Sequence, residues 1–156
     1  MSSDSGANEK IIAALQKAYN AEIETVANYI ANSQNLDGMR AKHIKESLAA
    51  DVTEELNHAQ LLAKRIKTIG GQTPGSKQLK MTQSTLQPPK STTDILSVIK
   101  GVIDAEESAI AGYKEIIELT DGVDHPTQDL AIEILADEQE HRREFVGFLK
   151  EYEERG

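Results

Sequence analysis

Cysteine is absent from all 156 residues of the sequence. Disulfides, thiolate zinc sites, iron–sulfur centres and a catalytic thiol are therefore excluded, and any bound metal must use oxygen and imidazole ligands. Tryptophan is absent too, and there are only two phenylalanines and four tyrosines. Few aromatics, together with proline-free runs rich in Ala, Glu, Leu, Ile and Lys, are typical of a helix bundle, so we expect an all-α fold.

The sequence also lacks long apolar runs and basic blocks. No run approaches the roughly 20 apolar residues that a helix needs to cross a bilayer. The first residues lack the charged and apolar regions of a signal peptide, so we expect a cytoplasmic protein without a membrane partner. The formal net charge is −9, which opposes binding to nucleic acid or to an anionic membrane surface and weakly favours cations.

Helical periodicity divides the chain into four long segments. Apolar residues recur every three or four positions over about 8–35, 39–69, 93–120 and 126–152. Residues 1–7 are small and polar, and we expect them to be disordered. The length fits one domain, so the sequence predicts a four-helix bundle over 8–152.

The connection between the second and third segments is much longer than the others. Residues from about 70 to 91 have no helical period, are rich in Gly, Pro, Ser and Thr, and contain three of the four prolines. Such a connection can cross from one end of a bundle to the other. Helices two and three are therefore predicted to run parallel rather than to form a hairpin.

Two helices carry a Glu-x-x-His unit inside the apolar stripe. These units are Glu55 with His58, and Glu138 with His141. Residues three apart on a helix point the same way, about one turn apart, so each unit can hold one metal ion. Burying an unpaired carboxylate costs several kcal/mol unless a cation or a donor compensates it. A metal is the obvious compensator.

The same pattern occurs twice along the chain. Glu22 and Glu106, in the stripes of helices one and three, are 84 residues apart, as are Tyr29 and Tyr113, and the two Glu-x-x-His units are 83 apart. Packing two such helix pairs face to face brings four carboxylates and two imidazoles around one cavity, as in di-iron and di-manganese carboxylate bundles. The predicted metal-binding and catalytic residues are Glu22, Glu55, His58, Glu106, Glu138 and His141.

Residues around this predicted site were also assigned. Glu54 and Asp137 each precede a site glutamate, and we expect them to accept hydrogen bonds from the imidazole N–H groups across the bundle. Tyr29 and Tyr113 are predicted core residues near the site, with a hydrogen-bonding or redox role left open. Glu24 lies roughly 200° around its helix from the stripe glutamate and is predicted to be a solvated charge.

At these residues the chain resembles the ferritin-like superfamily, nearest its bacterioferritin and rubrerythrin-type members. The resemblance covers all four helices, about 8–151, and includes Ala109, Ile110 and the Gly70-Gly71 ending of helix two. It implies that two iron ions bind, with manganese as an alternative. One ion would be served by Glu22 and His58, the other by Glu106 and His141, and both would be bridged by Glu55 and Glu138.

The sequence differs from these relatives in features that concern haem binding, assembly size and additional segments. Leu56 stands where bacterioferritins have a haem-ligating methionine, so no haem is expected by that route. Only fifteen residues follow His141, so we expect no fifth helix, and a dimer or small shell rather than a large cage. The iron domain of rubrerythrins, which is ligated by cysteine, is not found here, and neither is the basic tail of DNA-protecting mini-ferritins.

These features favour a ferroxidase, which oxidises Fe(II) with dioxygen or hydrogen peroxide for iron storage or detoxification. A rubrerythrin-like peroxidase or a manganese catalase is the alternative within redox chemistry. A structural bundle that binds a metal without redox activity is the alternative from another class. The predicted partners are ferrous iron, dioxygen or hydrogen peroxide, and other copies of the chain.

Overall fold

The computed structural model describes residues 2–155, with side chains from 5 to 154, as an all-helical chain. The four long helices are α1 (Ser2–Asn35), α2 (Lys42–Thr68), α3 (Ile95–Thr120) and α4 (His125–Arg155). Short 3₁₀ turns lie at Met39–Ala41, Ser76–Gln78 and Ser84–Leu86. The predicted all-α four-helix bundle is confirmed.

The helix limits differ most from the prediction at the start of α1. Residues 2–7, for which disorder was predicted, form the first turns of this helix, whereas Met1 lies outside the described residues. Adding turns to a helix that is already nucleated costs little free energy, because each further residue contributes a hydrogen bond. No proline interrupts this segment, so the helix continues beyond the part that packs on the bundle.

Hydrogen bonds between the helices establish their directions. Tyr29 of α1 donates to Glu106 of α3, and Tyr113 of α3 donates to Glu22 of α1, so α1 and α3 run antiparallel. Residues 36–41 connect α1 to α2, and this short connection makes the two helices an antiparallel hairpin. It follows that α2 and α3 run parallel, as the length of their connection predicted.

The apolar core consists of two clusters with a polar layer between them. One cluster contains Tyr29, Leu48, Ile99 and Phe145 among others. The other contains Leu15, Leu62, Ile116 and Ile134 among others. On every helix the predicted site residues fall, in sequence, between the members of the two clusters. The bundle therefore holds these polar groups at mid-height, with apolar packing above and below.

The crossover, residues 69–94, is held along α1 by side-chain amides of that helix. Successive amides lie eight, four and twelve residues apart, so they follow a stripe that winds gradually around α1. They donate to crossover carbonyls, in the pairs Asn8 to Ile69, Gln16 to Gln72, Asn20 to Lys80 and Asn32 to Leu86. The crossover therefore follows the length of α1.

Glu24 belongs to this attachment, and the prediction that it is a solvated charge is wrong. Its side chain is 3% exposed, and its two carboxylate oxygens accept the backbone N–H groups of Thr82 and Gln83 at 2.9 and 2.7 Å. The helical period places Glu24 correctly, away from the bundle centre. The helical period carries no information about the crossover, which covers that side of α1.

Gly101 marks a close approach between α3 and the crossover. A Cβ at this position would lie 2.3 Å from the carbonyl oxygen of Thr85. We expect Gly101→Ala to lower the free energy of unfolding by roughly 2–3 kcal/mol, because backbone must move to admit the methyl group. Urea titrations measure this change.

Gly112, on the same helix, is the matched control for Gly101. A Cβ at Gly112 would meet nothing within 4 Å. Gly112→Ala should therefore raise the free energy of unfolding by up to about 1 kcal/mol, since alanine is the better helix former. Equal effects of the two substitutions would contradict the close packing at Gly101.

Candidate metal centre

The six predicted site residues converge at the centre of the bundle, one or two from each helix. Each of them is at most 5% exposed. They form two groups whose potential ligand atoms lie within 4.8 Å of one another, and Glu55 and Glu138 belong to both groups. The first group is Glu22, Glu55, His58 and Glu138, and the second is Glu55, Glu106, Glu138 and His141.

The two imidazoles face the carboxylates in the same manner. His58 Nδ1 lies 3.0 Å from Glu138 Oε1, which comes from the other half of the chain. His141 Nδ1 lies 3.1 Å from Glu55 Oε1, again across the halves. The repeat in the sequence is thus a repeat in space, with a pseudo-twofold relation between the two groups.

Each of the six side chains has a buried polar atom that makes no hydrogen bond of normal geometry, even where an imidazole nitrogen lies close to a carboxylate oxygen. Buried polar atoms without partners are rare, and several at one place require a compensating charge. Four ionised carboxylates would be balanced by two divalent cations, and oxygen with imidazole suits iron or manganese. The residues present therefore fit two such ions. The unpartnered atoms are Glu22 Oε2, Glu55 Oε1, His58 Nδ1, Glu106 Oε2, Glu138 Oε1 and His141 Nδ1.

Carboxylates outside the centre orient the two imidazoles. His58 Nε2 is 2.9 Å from Asp137 Oδ2, and His141 Nε2 is 2.7 Å from Glu54 Oε2. The predicted contacts of Asp137 and Glu54 are therefore confirmed. When Nε2 carries the proton and donates it to the carboxylate, the lone pair of Nδ1 faces the centre, where a metal ion would accept it.

The two tyrosines position the carboxylates of the first and third helices. Tyr29 OH donates to Glu106 Oε1 at 2.5 Å, and Tyr113 OH donates to Glu22 Oε1 at 2.6 Å. Burial, reinforced by the nearby glutamates, raises the pKa of both phenols, so they remain protonated donors. One oxygen of each glutamate is thus fixed by a tyrosine, which leaves the other oxygen for a ligand.

Protons compensate part of the charge when no metal is bound. Burial raises the pKa of Glu55 and Glu106, and nearby carboxylates add to the effect. Burial disfavours the protonated form of His58, yet the adjacent Glu138 and Glu22 raise its pKa to about 10. The pKa of His141 is raised in the same way, against burial, by Glu106 and Glu138. Both imidazoles of the metal-free centre are therefore cationic at neutral pH.

Metal binding should release protons, because a histidine ligand must be neutral. Both histidine pKa values are raised, so at pH 7 filling the centre displaces at least the two imidazolium protons. The apparent affinity for Mn(II) should therefore increase with pH over the range from neutral towards pH 10. Titration calorimetry in buffers of different ionisation enthalpy counts the protons. Binding without proton release would contradict the assignment of both histidines.

Asp51 is a buried acidic residue near the centre that the sequence analysis did not identify. It is 8% exposed, and its Oδ1 lies 3.5 Å from His141 Nε2. Burial and the charges of Glu144 and Glu54 raise its pKa to about 6, although His141 opposes this. Its position one turn before Glu55, on the same stripe, was an available signal. The internal repeat gave no signal for Asp51, because the residue 83 positions later is Ile134.

A cleft leads from the surface to the carboxylates. It has a volume of about 1140 Å³ and lies between α1, α3 and the crossover. Small residues line it, including Ala18, Ala21, Ala109 and Gly112, and it extends to Glu22 among the site residues. The cleft therefore ends against the carboxylate side of the centre, whereas the imidazoles lie towards α2 and α4.

The hydrogen bond from His58 to Asp137 gives a test of imidazole orientation. Asp137→Asn should lower the affinity for Mn(II) by roughly 10- to 100-fold, because the amide holds the ring and its tautomer less firmly than the carboxylate does. Equilibrium dialysis measures the affinity. Glu133→Gln removes an exposed charge from the same helix and should change little. Equal affinities of Asp137→Asn and the wild type would exclude this role.

A four-helix bundle with four carboxylates and two imidazoles gathered at mid-height has the architecture of the dinuclear carboxylate bundles. The family model described as the ferritin-like domain matches residues 12–154, and the chain belongs to this family.

Its relatives include proteins that protect DNA or are called bacterioferritins. The chain is 32% identical over 145 residues to the "DNA protection during starvation protein" of Pyrococcus furiosus, covering 90% of this chain and 77% of that one. It is 26% identical over 133 residues to the bacterioferritin of Desulfovibrio desulfuricans, covering 85% and 70%.

Solved structures share the fold. The dodecameric thioferritin of Bacteroides fragilis, a bacterioferritin-related protein, superposes with a TM-score of 0.81 at 25% identity, covering 94% of this chain and 88% of that one.

Over the described residues no helix is long and apolar enough to cross a membrane. Leu56 lies on α2 and is 44% exposed. The expectation that no haem binds through this position stays a prediction.

Proposed function

We propose that this protein is a ferroxidase, which takes Fe(II) as its substrate and oxidises it at the paired centre. The observation that carries the proposal is the set of six buried side chains, each with one polar atom that has no hydrogen-bond partner. They divide into two overlapping groups that share Glu55 and Glu138. An arrangement with two shared carboxylates suits a reaction that removes one electron from each of two neighbouring ions.

Each residue has a role in this proposal. Glu22 and His58 hold one Fe(II), and Glu106 and His141 hold the other. Glu55 and Glu138 bridge them, as their place in both groups allows. Carboxylates are hard ligands that favour Fe(III), while the neutral imidazoles help to retain Fe(II) before oxidation.

The electrons and protons balance with either oxidant. Two Fe(II) ions give two electrons to dioxygen, which takes up two protons and becomes hydrogen peroxide. With hydrogen peroxide as the oxidant, the two electrons and two protons yield two water molecules. The tyrosines that bind Glu22 and Glu106 remain donors throughout, because burial keeps their pKa values high.

The relatives support an assembly of several copies of the chain. The Bacteroides fragilis protein is dodecameric, and we infer a homo-oligomer here as well, a dimer or a small shell. The Pyrococcus furiosus relative is named for DNA protection. With a net charge of −9, this chain would protect DNA chemically, by consuming Fe(II) and oxidant, rather than by binding it.

The experiment that tests the function begins with Fe(II) added anaerobically to the metal-free protein. Dioxygen or hydrogen peroxide is then supplied, and oxidation is followed by absorbance. After gel filtration, iron per chain is measured. We expect rapid oxidation, with about two iron ions retained if the protein detoxifies iron and tens if a shell stores it. The elution volume gives the size of the assembly.

Two other outcomes would replace the proposal. Rapid disproportionation of hydrogen peroxide by the manganese form, with slow Fe(II) oxidation, would indicate a manganese catalase. A protein that is stabilised by zinc but oxidises no metal would be a structural bundle. Oxidation of Fe(II) no faster than in buffer would exclude a ferroxidase.

A further inference from the structure

The cleft between α1, α3 and the crossover is far larger than small oxidants require. Its volume of about 1140 Å³ lies just above the range of roughly 300–1,000 Å³ that is found for pockets holding drug-sized molecules. A water molecule takes about 30 Å³ of the liquid, and dioxygen and hydrogen peroxide are only slightly larger. The cleft therefore has room for an organic molecule beside the centre.

The wall and the inner end of the cleft differ in chemistry. Part of the wall is formed by the methyl groups of Ala18 and Ala109 and by the backbone of Gly112. At the inner end the lining includes Glu22 and Glu106, which are 2% and 1% exposed. Oε2 of each glutamate has no hydrogen-bond partner. Such a cleft suits a molecule with an apolar body and a small polar group that reaches these carboxylates.

Charge limits the kind of polar group that the cleft accepts. Acidic side chains outnumber lysines in the lining, and the whole chain has a net charge of −9. An anionic group is therefore disfavoured, whereas a neutral one is not. Among neutral groups, a hydroperoxide contains the same O–O bond as hydrogen peroxide, which is an oxidant in the proposed function.

We propose that the cleft binds neutral organic hydroperoxides and that these are reduced at the paired centre, an inference that rests on the proposed function. The organic body lies along the small residues, and the O–OH group is directed at Glu22 and Glu106. In the reaction the O–O bond breaks. Two Fe(II) ions supply two electrons and become Fe(III), and two protons from the solvent complete one alcohol and one water molecule.

Cumene hydroperoxide tests the reaction, because its product shows how the O–O bond was broken. Two electrons delivered together give cumyl alcohol, whereas a single electron gives an alkoxyl radical that fragments to acetophenone. The metal-free protein is loaded anaerobically with about two Fe(II) per chain, the hydroperoxide is added, and the products are separated by liquid chromatography. We expect about two Fe(II) oxidised per hydroperoxide and mainly cumyl alcohol, at a rate at least roughly tenfold above that of Fe(II) in buffer.

Filling the cleft tests where the hydroperoxide binds. A Cβ at Gly112 would meet nothing within 4 Å, so Gly112→Phe can place its ring in the cleft. The ratio of the rate with cumene hydroperoxide to the rate with hydrogen peroxide should fall by roughly tenfold, because only the larger oxidant needs that space. Gly147 of α4 has equally open surroundings and lies outside the cleft, so Gly147→Phe should leave the ratio unchanged.

Cumyl alcohol has no O–O bond and gives a readout that does not depend on oxidation. Added to the metal-free protein, it should shift the methyl NMR signals of Ala18 and Ala109 in the wild type and in Gly147→Phe. The shifts should be largely lost in Gly112→Phe, whose NMR spectrum also shows whether this variant is folded.

The possible results separate this inference from the proposed function. Rapid oxidation by hydrogen peroxide, with only acetophenone at the buffer rate from cumene hydroperoxide, would overturn the inference and leave the proposed function intact. Alanine signals that cumyl alcohol does not shift would overturn the binding site. If no oxidant acted faster than in buffer, the proposed function and hydroperoxide reduction would both be wrong, and shifts that Gly112→Phe removes would support the binding site alone.

Discussion

Replacing Glu138 by alanine should abolish Fe(II) oxidation, with a fall of at least roughly 100-fold in the rate. Glu138 is 1% exposed, belongs to both groups of potential ligands, and lies 3.0 Å from His58 Nδ1. Removing it takes one ligand from each ion at once and leaves no carboxylate from α4 between them. A loss of transition-state stabilisation of about 2.7 kcal/mol corresponds to that factor. Stopped-flow absorbance after mixing with dioxygen measures it.

Glu140 provides the control for Glu138, because it lies two residues away on the same helix with its side chain 62% exposed. It forms an ion pair with Arg143 at the surface. Glu140→Ala should oxidise Fe(II) at the rate of the wild type. If Glu138→Ala kept the full rate while its circular dichroism showed an intact bundle, the assignment of the paired centre would be wrong.

Filling the centre with metal should raise the melting temperature by roughly 10–20 °C. Binding to the folded state alone contributes about 2.7 kcal/mol per site when the free ion is at 100 times its dissociation constant, or about 5 kcal/mol for two sites. For a domain of this size, 1 kcal/mol shifts the melting temperature by about 2–4 °C. Differential scanning calorimetry of the metal-free and Mn(II)-loaded protein measures the shift.

The origin of this stabilisation is the unsatisfied layer between the two apolar clusters. When the metal is absent, these buried groups are compensated only in part, by the raised pKa values of Glu55, Glu106 and the two histidines and by hydrogen bonds from two tyrosines. A chelator should reverse the shift, and Glu138→Ala should reduce it to less than half. Equal melting temperatures with and without a tightly bound metal would contradict the link between metal binding and folding.

The fold and the convergence of the six candidate ligands were predictable because both depend on local spacing. Three- and four-residue steps define the helices, and polar residues at stripe positions such as Glu55 and His58 must meet at the bundle axis. The 83- and 84-residue repeat then relates the two halves. Even the contacts of Glu54 and Asp137 followed from their place beside the site glutamates.

Features that depend on the crossover or on one half alone could not be predicted in this way. Glu24 is buried because an irregular segment passes over it, and the path of such a segment has no period in the sequence. The close approach of Thr85 to Gly101 has the same origin. Asp51 was missed because the repeat has Ile134 in its place, so a search for matching halves passes over it.

The division of the candidate ligands between the helix pairs α1–α2 and α3–α4 has a mechanical consequence. Each group draws three ligands from one pair and the fourth from the other, through Glu138 in the first group and Glu55 in the second. A bound ion would therefore cross-link two parts of the chain that are about 80 residues apart in sequence. In a chain without cysteine, two such reversible cross-links would restrain the separation of α1–α2 from α3–α4, as disulfides do in other small proteins.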